Sequence, residues 1–532
     1  MISVRGSERE AMSEEKKKNT VDRDKRPNIL FAFGDDWGRY ASAYAALQGD
    51  QSVNALIQTP NFDRVANEGA LFTNAFVPAP SCTPCRSSVL TGRYFWQTGL
   101  GAILERARWD RSIPSYPLLL EQEGYHIGYT YKVWAPGEPV NDPYGAERTR
   151  YQSAGNKFGS FSFAATEGTG TMGIEEAKQP LYNEVRDNFD SFLAARPAGT
   201  PFCYWWGPTN THRLWQRGSG KALWGLDPDD LKGRMPDFLP DVPEVREDFC
   251  DYLGECQAFD AGLGVLLDRL EEMGELDNTL VVVSGDHGIP GLPRGKCNLY
   301  DIGCEVALAA RWPGHIPGGR VIDDMVNLMD LSPTFLEAGD IPPPAGACAR
   351  SLMSLLTSSK EGQIDPQRDF VVTGRERHVR DAREGYLPYP QRAIRTRDFL
   401  YIRNFAPDRW PMGDPKGLED PSAILPEFQE LCEVTRVAYP DMDASPTKAW
   451  MIYHRLEDEV APLFALGFGK RPAEELYDLK EDPYMMRNRA DDSSYAQIRE
   501  ELEKRLLALL AEQEDPRVAE KPCRYEAPPY AG

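Results

Sequence analysis

The sequence predicts a layered α/β domain with its chemistry at the carboxyl ends of the strands, followed by a smaller α+β domain built on a short antiparallel sheet. Three observations carry this expectation. Apolar strand-like runs alternate with helical segments from residue 27 to about residue 385. Two of those runs stop abruptly at polar clusters, Asp35-Asp36 and Asp286-His287. Past residue 385 the texture changes to paired short strands and a terminal helix.

In chain order, Asn28 to Phe33 (NILFAF) reads as a buried strand that Gly34-Asp35-Asp36 ends. TPNFDRVANEG, residues 59–69, has helical spacing, and Pro84 to Leu90 reads as a helix with proline in its first turn, where the missing N–H has no intrahelical partner to lose. Leu181 to Ala195 predicts another helix and Pro201 to Gly207 a strand. Phe249, Tyr252, Leu253, Cys256, Leu263, Leu266, Leu267 and Leu270 keep the 3.6-residue period, and that helix hands over to a strand from Thr279 to Ser284. After Pro342-Pro343-Pro344 one more strand is expected, from Asp369 to Thr373. RAIRTRDFLYIRNF, residues 392–405, reads as two paired short strands. Tyr495, Ile498, Leu502, Leu506 and Leu509 form one face of a last helix, expected to pack on the second domain's own sheet. The expected organisation is a disordered arm over 1–26, a large domain over 27–385 and a C-terminal subdomain over 386–532.

Composition narrows the function classes. A chain of 532 residues with 41% hydrophobic content buries a large core. The first 26 residues are polar, with Glu14-Glu15-Lys16-Lys17-Lys18, and contain no apolar export segment, so a cytoplasmic location is expected. Ten cysteines are too sparse for a disulfide-stapled scaffold and are expected to be reduced. The formal charge of −22 argues against nucleic acid or an anionic membrane as partner, because phosphate binding needs a basic surface. A small anionic substrate stays open if cations gather in a cleft, since surface charge is screened beyond roughly 8 Å. Oligomerisation is also left open.

The stretch PAPSCTPCRSSVLTGRY, residues 78–94, raises the central question. Cys82 reads as a small buried hydrophobe, as most free cysteines are. With Cys85 it also makes a C-x-x-C pair, which for zinc would need a second pair that the sequence lacks and for redox work sits in the wrong flanking pattern. The third reading rests on resemblance. Cys82-Thr83-Pro84-Cys85-Arg86 followed by Ser87-Ser88-Val89-Leu90-Thr91-Gly92-Arg93 resembles the signature of the type I sulfatases, in which a formylglycine-generating enzyme oxidises the first cysteine to formylglycine (3-oxoalanine). Further blocks agree in order: Pro27 to Asp36, Thr59-Pro60-Asn61-Phe62-Asp63 with Ala70 to Ala75, Ser284 to Gly288, and Glu475 to Leu479 with Asp482-Pro483. The resemblance runs from about residue 27 to 515. It implies the alkaline-phosphatase-like sulfatase fold, with a large central mixed sheet sandwiched by helices. Gly207 to Arg213, Gly288-Ile289-Pro290 and Gly295 to Tyr300 look most like the heparan N-sulfatase (sulfamidase) branch.

The resemblance also implies roles. Asp35, Asp36, Asp286 and His287, with the modified Cys82, look like the family's calcium site; the imidazole leaves Mg²⁺ or Mn²⁺ open. Taken alone, Asp35-Asp36 would read as helix capping. Arg86, four residues after Cys82, is expected to turn back and hold the hydrated aldehyde. Lys132 and Lys296 resemble sulfate-binding cations, and His212 resembles the histidine that meets the leaving group. Water on the aldehyde gives two hydroxyls; one attacks sulfur, and loss of the other's proton expels sulfate, an escape closed to a serine ester. The chain departs from the family's K-x-H pattern, because Lys132-Val133-Trp134 lacks the histidine. His378 is one substitute, and Trp134 and Asn210 are expected in the substrate pocket. The leading expectation is a hydrolase of sulfate esters or sulfamates on a sugar resembling N-sulfoglucosamine. An arylsulfatase, a phosphonate or phosphodiester hydrolase, and a non-catalytic sugar-binding homologue are the alternatives.

Overall fold

The computed structural model describes residues 26–532, so the arm expected over 1–26 lies, but for Arg26, outside the described residues. The strands are β1 (Asn28–Gly34), β2 (Ala70–Phe72), β3 (Ala75–Phe76), β4 (His126–Tyr131), β5 (Phe202–Gly207), β6 (Thr279–Gly285), β7 (Leu308–Arg311), β8 (Arg320–Ile322), β9 (Val326–Asn327), β10 (Phe370–Arg375), β11 (Gln391–Thr396), β12 (Phe399–Asn404) and β13 (Glu474–Asp478). Seven of them form one sheet in the order β4-β5-β1-β6-β7-β2-β8. The run β4-β5-β1-β6 is parallel, whereas β7 is antiparallel to β6 and β2. The sheet is therefore mixed.

β1 explains why its sequence is a continuous apolar run. Ile29, Phe31 and Phe33 enter the core on one face of the sheet, and Leu30 and Ala32 enter the core on the other. A strand covered on both faces has no polar side to show. Helices supply the cover. Phe62 and Val65 of the helix Pro60–Glu68, Leu181, Val185 and Phe189 of Ile174–Ala195, and Phe249, Leu253 and Leu263 of Pro243–Glu272 all pack into the second core. The helix Ile174–Ala195 begins earlier than the sequence predicts and runs through Pro180. Its buried face meets the long helix Pro243–Glu272, and that packing outweighs the lost hydrogen bond. No helix among the described residues is long and apolar enough to cross a membrane. None of the ten cysteines is joined in a disulfide.

The second sheet is antiparallel, in the order β10-β11-β12-β13. Val372, Ile394, Tyr401 and Leu476 face Leu502, Leu506 and Leu510 of the terminal helix Ala496–Glu512, as expected. Val371, Ala393, Leu400 and Ile402 face the large domain's own core. The second sheet draws on both sides of residue 385. β10, placed ahead of it by the sequence reading, is the edge strand of the second sheet, and the segment after β10 turns back onto the large domain, where Leu104 and Glu105 donate their N–H groups to the carbonyls of Arg377 and His378. Local pattern cannot show which sheet an apolar strand joins, because that depends on its partner.

Candidate active site

Four neighbouring parallel strands deliver the polar residues to one end of the sheet. β1 and β6 are paired in register from Asn28↔Thr279 to Gly34↔Gly285, so Asp35-Asp36 and Asp286-His287 leave the sheet side by side. β4 ends at Tyr131 and presents Lys132; β5 ends at Gly207 and leads to His212. The turns have special geometry. Asp36 adopts a left-handed φ of 59°, a conformation that non-glycine residues reserve for constrained places, and its N–H donates to Asp286 Oδ1 at 2.8 Å. A Cβ on Gly285 would lie 1.9 Å from the Trp37 carbonyl, and one on Gly288 would lie 1.7 Å from the Ile302 carbonyl. Gly285 lets the turn after β6 lie against the turn after β1, and Gly288 lets it lie against the Ile302–Gly303 backbone.

The helix Cys82–Thr91, buried over its whole length, brings its first residue to the same place. Cys82 Sγ lies 3.3 Å from His287 Nε2 and 3.9 Å from Asp36 Oδ1. Cys85, one turn on, packs into the first core. Burial pushes the Cys82 thiol well above its ordinary range, more strongly than Lys132 and Lys296 pull it down. The carboxylates are matched by cations. Arg86 donates through Nε to Asp286 at 2.8 Å and through Nη2 to Asp35 at 3.0 Å. Lys132 Nζ bonds both oxygens of Asp35 at 2.8 Å, and Lys296 Nζ bonds Asp36 at 2.9 Å. Against the effect of burial, Lys132 and Arg86 hold Asp35 well below the usual carboxylate range. Asp36, Cys82 and His287, and likewise Asp35, Cys82 and Asp286, bring ligand atoms within 4.8 Å of one another. Three carboxylates with one imidazole are a donor set that fits a hard divalent cation.

A cavity of about 520 Å³ opens onto this cluster and is lined by Asp35, Cys82, Lys132, His212, Lys296 and His378. His212 donates Nδ1–H to the Arg213 carbonyl at 2.6 Å, which leaves Nε2 facing the cluster, 3.8 Å from Asp36 Oδ2. His378 shares a hydrogen bond with Ser81 Oγ at 2.8 Å, and burial lowers its pKa to about 3, so it stands as a neutral imidazole.

Residues 27–341 match the family model described as Sulfatase, more than half of the chain. The chain is a member of the sulfatase family. A second model, N-sulphoglucosamine sulphohydrolase, C-terminal, matches residues 294–424 of this sulfatase. It is 28% identical over 510 residues to the human N-sulphoglucosamine sulphohydrolase, covering 92% of this chain and 91% of that protein. It is 25% identical to an N-acetylglucosamine-6-O-sulfatase of Bacteroides thetaiotaomicron, over 79% of this chain and 88% of the relative. Its fold superposes with TM-score 0.62, at 19% identity, on a solved structure in complex with its substrate D-glucosamine-2-N,6-O-disulfate, covering 93% of this chain and all of that one. The phosphonate monoester hydrolase of Agrobacterium radiobacter has the same fold, with TM-score 0.59 and 18% identity, over 93% and 97% of the two chains.

Two site expectations for this sulfatase require correction. Trp134 does not line the cavity: its side chain is wholly buried, donates Nε1–H to Ser87 Oγ at 2.8 Å and packs edge-on against Trp109. The Lys132-Val133-Trp134 turn directs the indole into the core instead. Asn210 is buried too, its amide held by Glu255 at 2.9 Å, so it anchors the His212 loop to the long helix. Arg86, expected at the hydrated aldehyde, makes its carboxylate hydrogen bonds to Asp35 and Asp286 in the cluster around residue 82. The sequence reading missed Asp443, Glu105 and Arg436, which also line the cavity. Glu105 and Asp443 come from loops and Arg436 from a short 3-10 turn, none with a strand-end pattern.

Glu255 makes a pH prediction. Burial raises its carboxyl to about 7, in spite of the hydrogen bonds from Ser162 and Asn210. A raised folded-state pKa gives stability that is complete below about pH 4.5 and lost as pH rises through about 7. In wild type that loss amounts to roughly 3 kcal/mol. The melting temperature of Glu255→Gln, which cannot ionise, is therefore expected to fall less between pH 5 and 8 than that of wild type.

Proposed function

We propose that this sulfatase cleaves the sulfamate of an N-sulfated amino sugar such as N-sulfoglucosamine, with residue 82 as formylglycine and a divalent cation, Ca²⁺ by preference, held by Asp35, Asp36, Asp286, His287 and residue 82. One observation carries the reading: residue 82, the carboxylate–imidazole set, Lys132, Lys296 and His212 cluster at one cavity, in a chain whose residues 294–424 match the N-sulphoglucosamine sulphohydrolase, C-terminal model.

Formylglycine supplies a nucleophile that can be regenerated without hydrolysing a sulfate ester, and the cation supplies positive charge for the sulfuryl oxygens. The chain's own residues do the rest. Arg86 holds Asp35 and Asp286 aligned through its two hydrogen bonds. Lys132 and Lys296 face the cavity with cations fixed by buried carboxylates, and each attracts a sulfate charge at 4 Å by roughly 4 kcal/mol at an effective dielectric near 20. As an imidazolium, His212 offers its Nε2 proton to the departing atom. An amine is a more basic leaving group than a phenolate and needs that proton as the S–N bond breaks.

Wild type is expected to turn over N-sulfoglucosamine with higher kcat/KM than glucosamine 6-O-sulfate. His212→Ala is expected to lower sulfamate turnover by roughly a hundredfold and turnover of an activated aryl sulfate far less. Equal losses would make His212 a binding residue, and a wide preference for the O-sulfate would remove the sulfamate reading while leaving a sulfatase. Faster turnover of an aryl phosphonate than of any sulfate would point to the phosphonate alternative.

A further inference from the structure

Two carboxylates line the cavity apart from the cluster around residue 82, and they differ in one respect. Glu105 is engaged on both oxygens, by Arg436 Nη2 at 2.6 Å and by the Arg380 N–H at 2.8 Å. Asp443 is not. Among the described residues no donor makes a hydrogen bond to its buried Oδ2; the Lys296 ammonium stands 3.4 Å away, too long for a charge-assisted bond. No hydrogen bond from the described residues fixes either oxygen of this cavity-lining carboxylate, so it can turn toward a donor that a ligand brings.

The surroundings say which donor. Lys296 also holds Asp36, so Asp443 stands one ammonium group away from the reacting centre. Burial works to raise its carboxyl, but Lys296 and His212 hold it well below the usual range, so it is an anion that can only accept. The leaving atoms of the two substrate types differ in just this property. A sulfamate nitrogen carries an N–H before cleavage and becomes an ammonium group after it, whereas an ester oxygen carries no hydrogen.

We propose that Asp443 reads the leaving nitrogen: its carboxylate accepts the N–H of the bound sulfamate and then holds the ammonium of the released amino sugar, which favours N-sulfate over O-sulfate. This rests on the sulfamate reading of the same site. The test compares wild type, Asp443→Asn and Asp443→Glu on N-sulfoglucosamine and 4-nitrophenyl sulfate, with glucosamine and N-acetylglucosamine as competitive inhibitors. In Asp443→Asn the ratio of kcat/KM for sulfamate over aryl sulfate is expected to fall by roughly tenfold to a hundredfold, and Asp443→Glu to recover part of it. Wild type is expected to bind glucosamine more tightly than N-acetylglucosamine, and Asp443→Asn to lose that difference. Equal losses on both substrates would mean that Asp443 acts only through Lys296, and would overturn the proposal. Equal inhibition of wild type by the two sugars would overturn it without any variant. A wild type that cleaves O-sulfates and no N-sulfate would overturn the sulfamate reading and this proposal together; one that cleaves N-sulfate while Asp443→Asn keeps the wild-type ratio would overturn this proposal alone.

Discussion

Cys82→Ala is expected to lower turnover by roughly 10⁴-fold or more, the scale of losing a nucleophile, while Cys85→Ala keeps most of it. The structure separates the two thiols. Cys82 lines the cavity with Sγ at 3.3 Å from His287, whereas Cys85 is wholly buried in the core under the sheet. Loss of Cys85 should appear as a small drop in melting temperature, since a small buried side chain is removed. Equal loss of turnover in both variants would support a redox pair instead. Mass spectrometry of the peptide spanning residue 82, from protein made beside a formylglycine-generating enzyme, should find the aldehyde. An active preparation holding only the thiol would overturn the role given to residue 82.

The second large effect is that of chelation. Removing divalent cations is expected to abolish turnover, and Ca²⁺ or Mg²⁺ to restore it, with elemental analysis naming the resident ion. Full activity in protein shown to be free of metal would refute the site. The fold should survive, with the melting temperature lower by only a few degrees, because Arg86, Lys132 and Lys296 already balance Asp35, Asp36 and Asp286. Asp286→Ala should behave differently. It leaves the fully buried Arg86 guanidinium without its main partner, a break that typically costs about 3–5 kcal/mol, so this variant loses both activity and stability.

Much of this was legible in the chain. The run Asn28 to Phe33 is apolar at every position after Asn28 because β1 is covered on both faces, and the acids after it mark the strand's carboxyl end. The helix Pro243–Glu272 announces itself by its period. Cys82, Lys132, His212 and Lys296, singled out by motif, line one cavity, and His378, named only as a substitute for the missing histidine, lines it too. Misreadings came where one residue type serves two environments. Trp134 occupies the family's histidine position, but an indole donates a hydrogen bond to Ser87 as readily from the core as from a pocket. Asn210 sits two residues before His212 and faces the opposite way.

By itself the sequence determined the strands and helices, the polar clusters at the ends of β1 and β6, and the helix that starts at the reactive cysteine, because local periodicity and chain-adjacent motifs decide those. Only the tertiary structure decided which strand ends lie side by side, that β10 belongs to the second sheet, that Arg86 serves the carboxylates, and that Asp443 reaches the cavity from the far end of the chain. The Gly34↔Gly285 register joins turns some 250 residues apart, and Lys296 reaches Asp443 from a different loop. Such contacts arise from the packing of separate elements, and no periodicity in the chain encodes them.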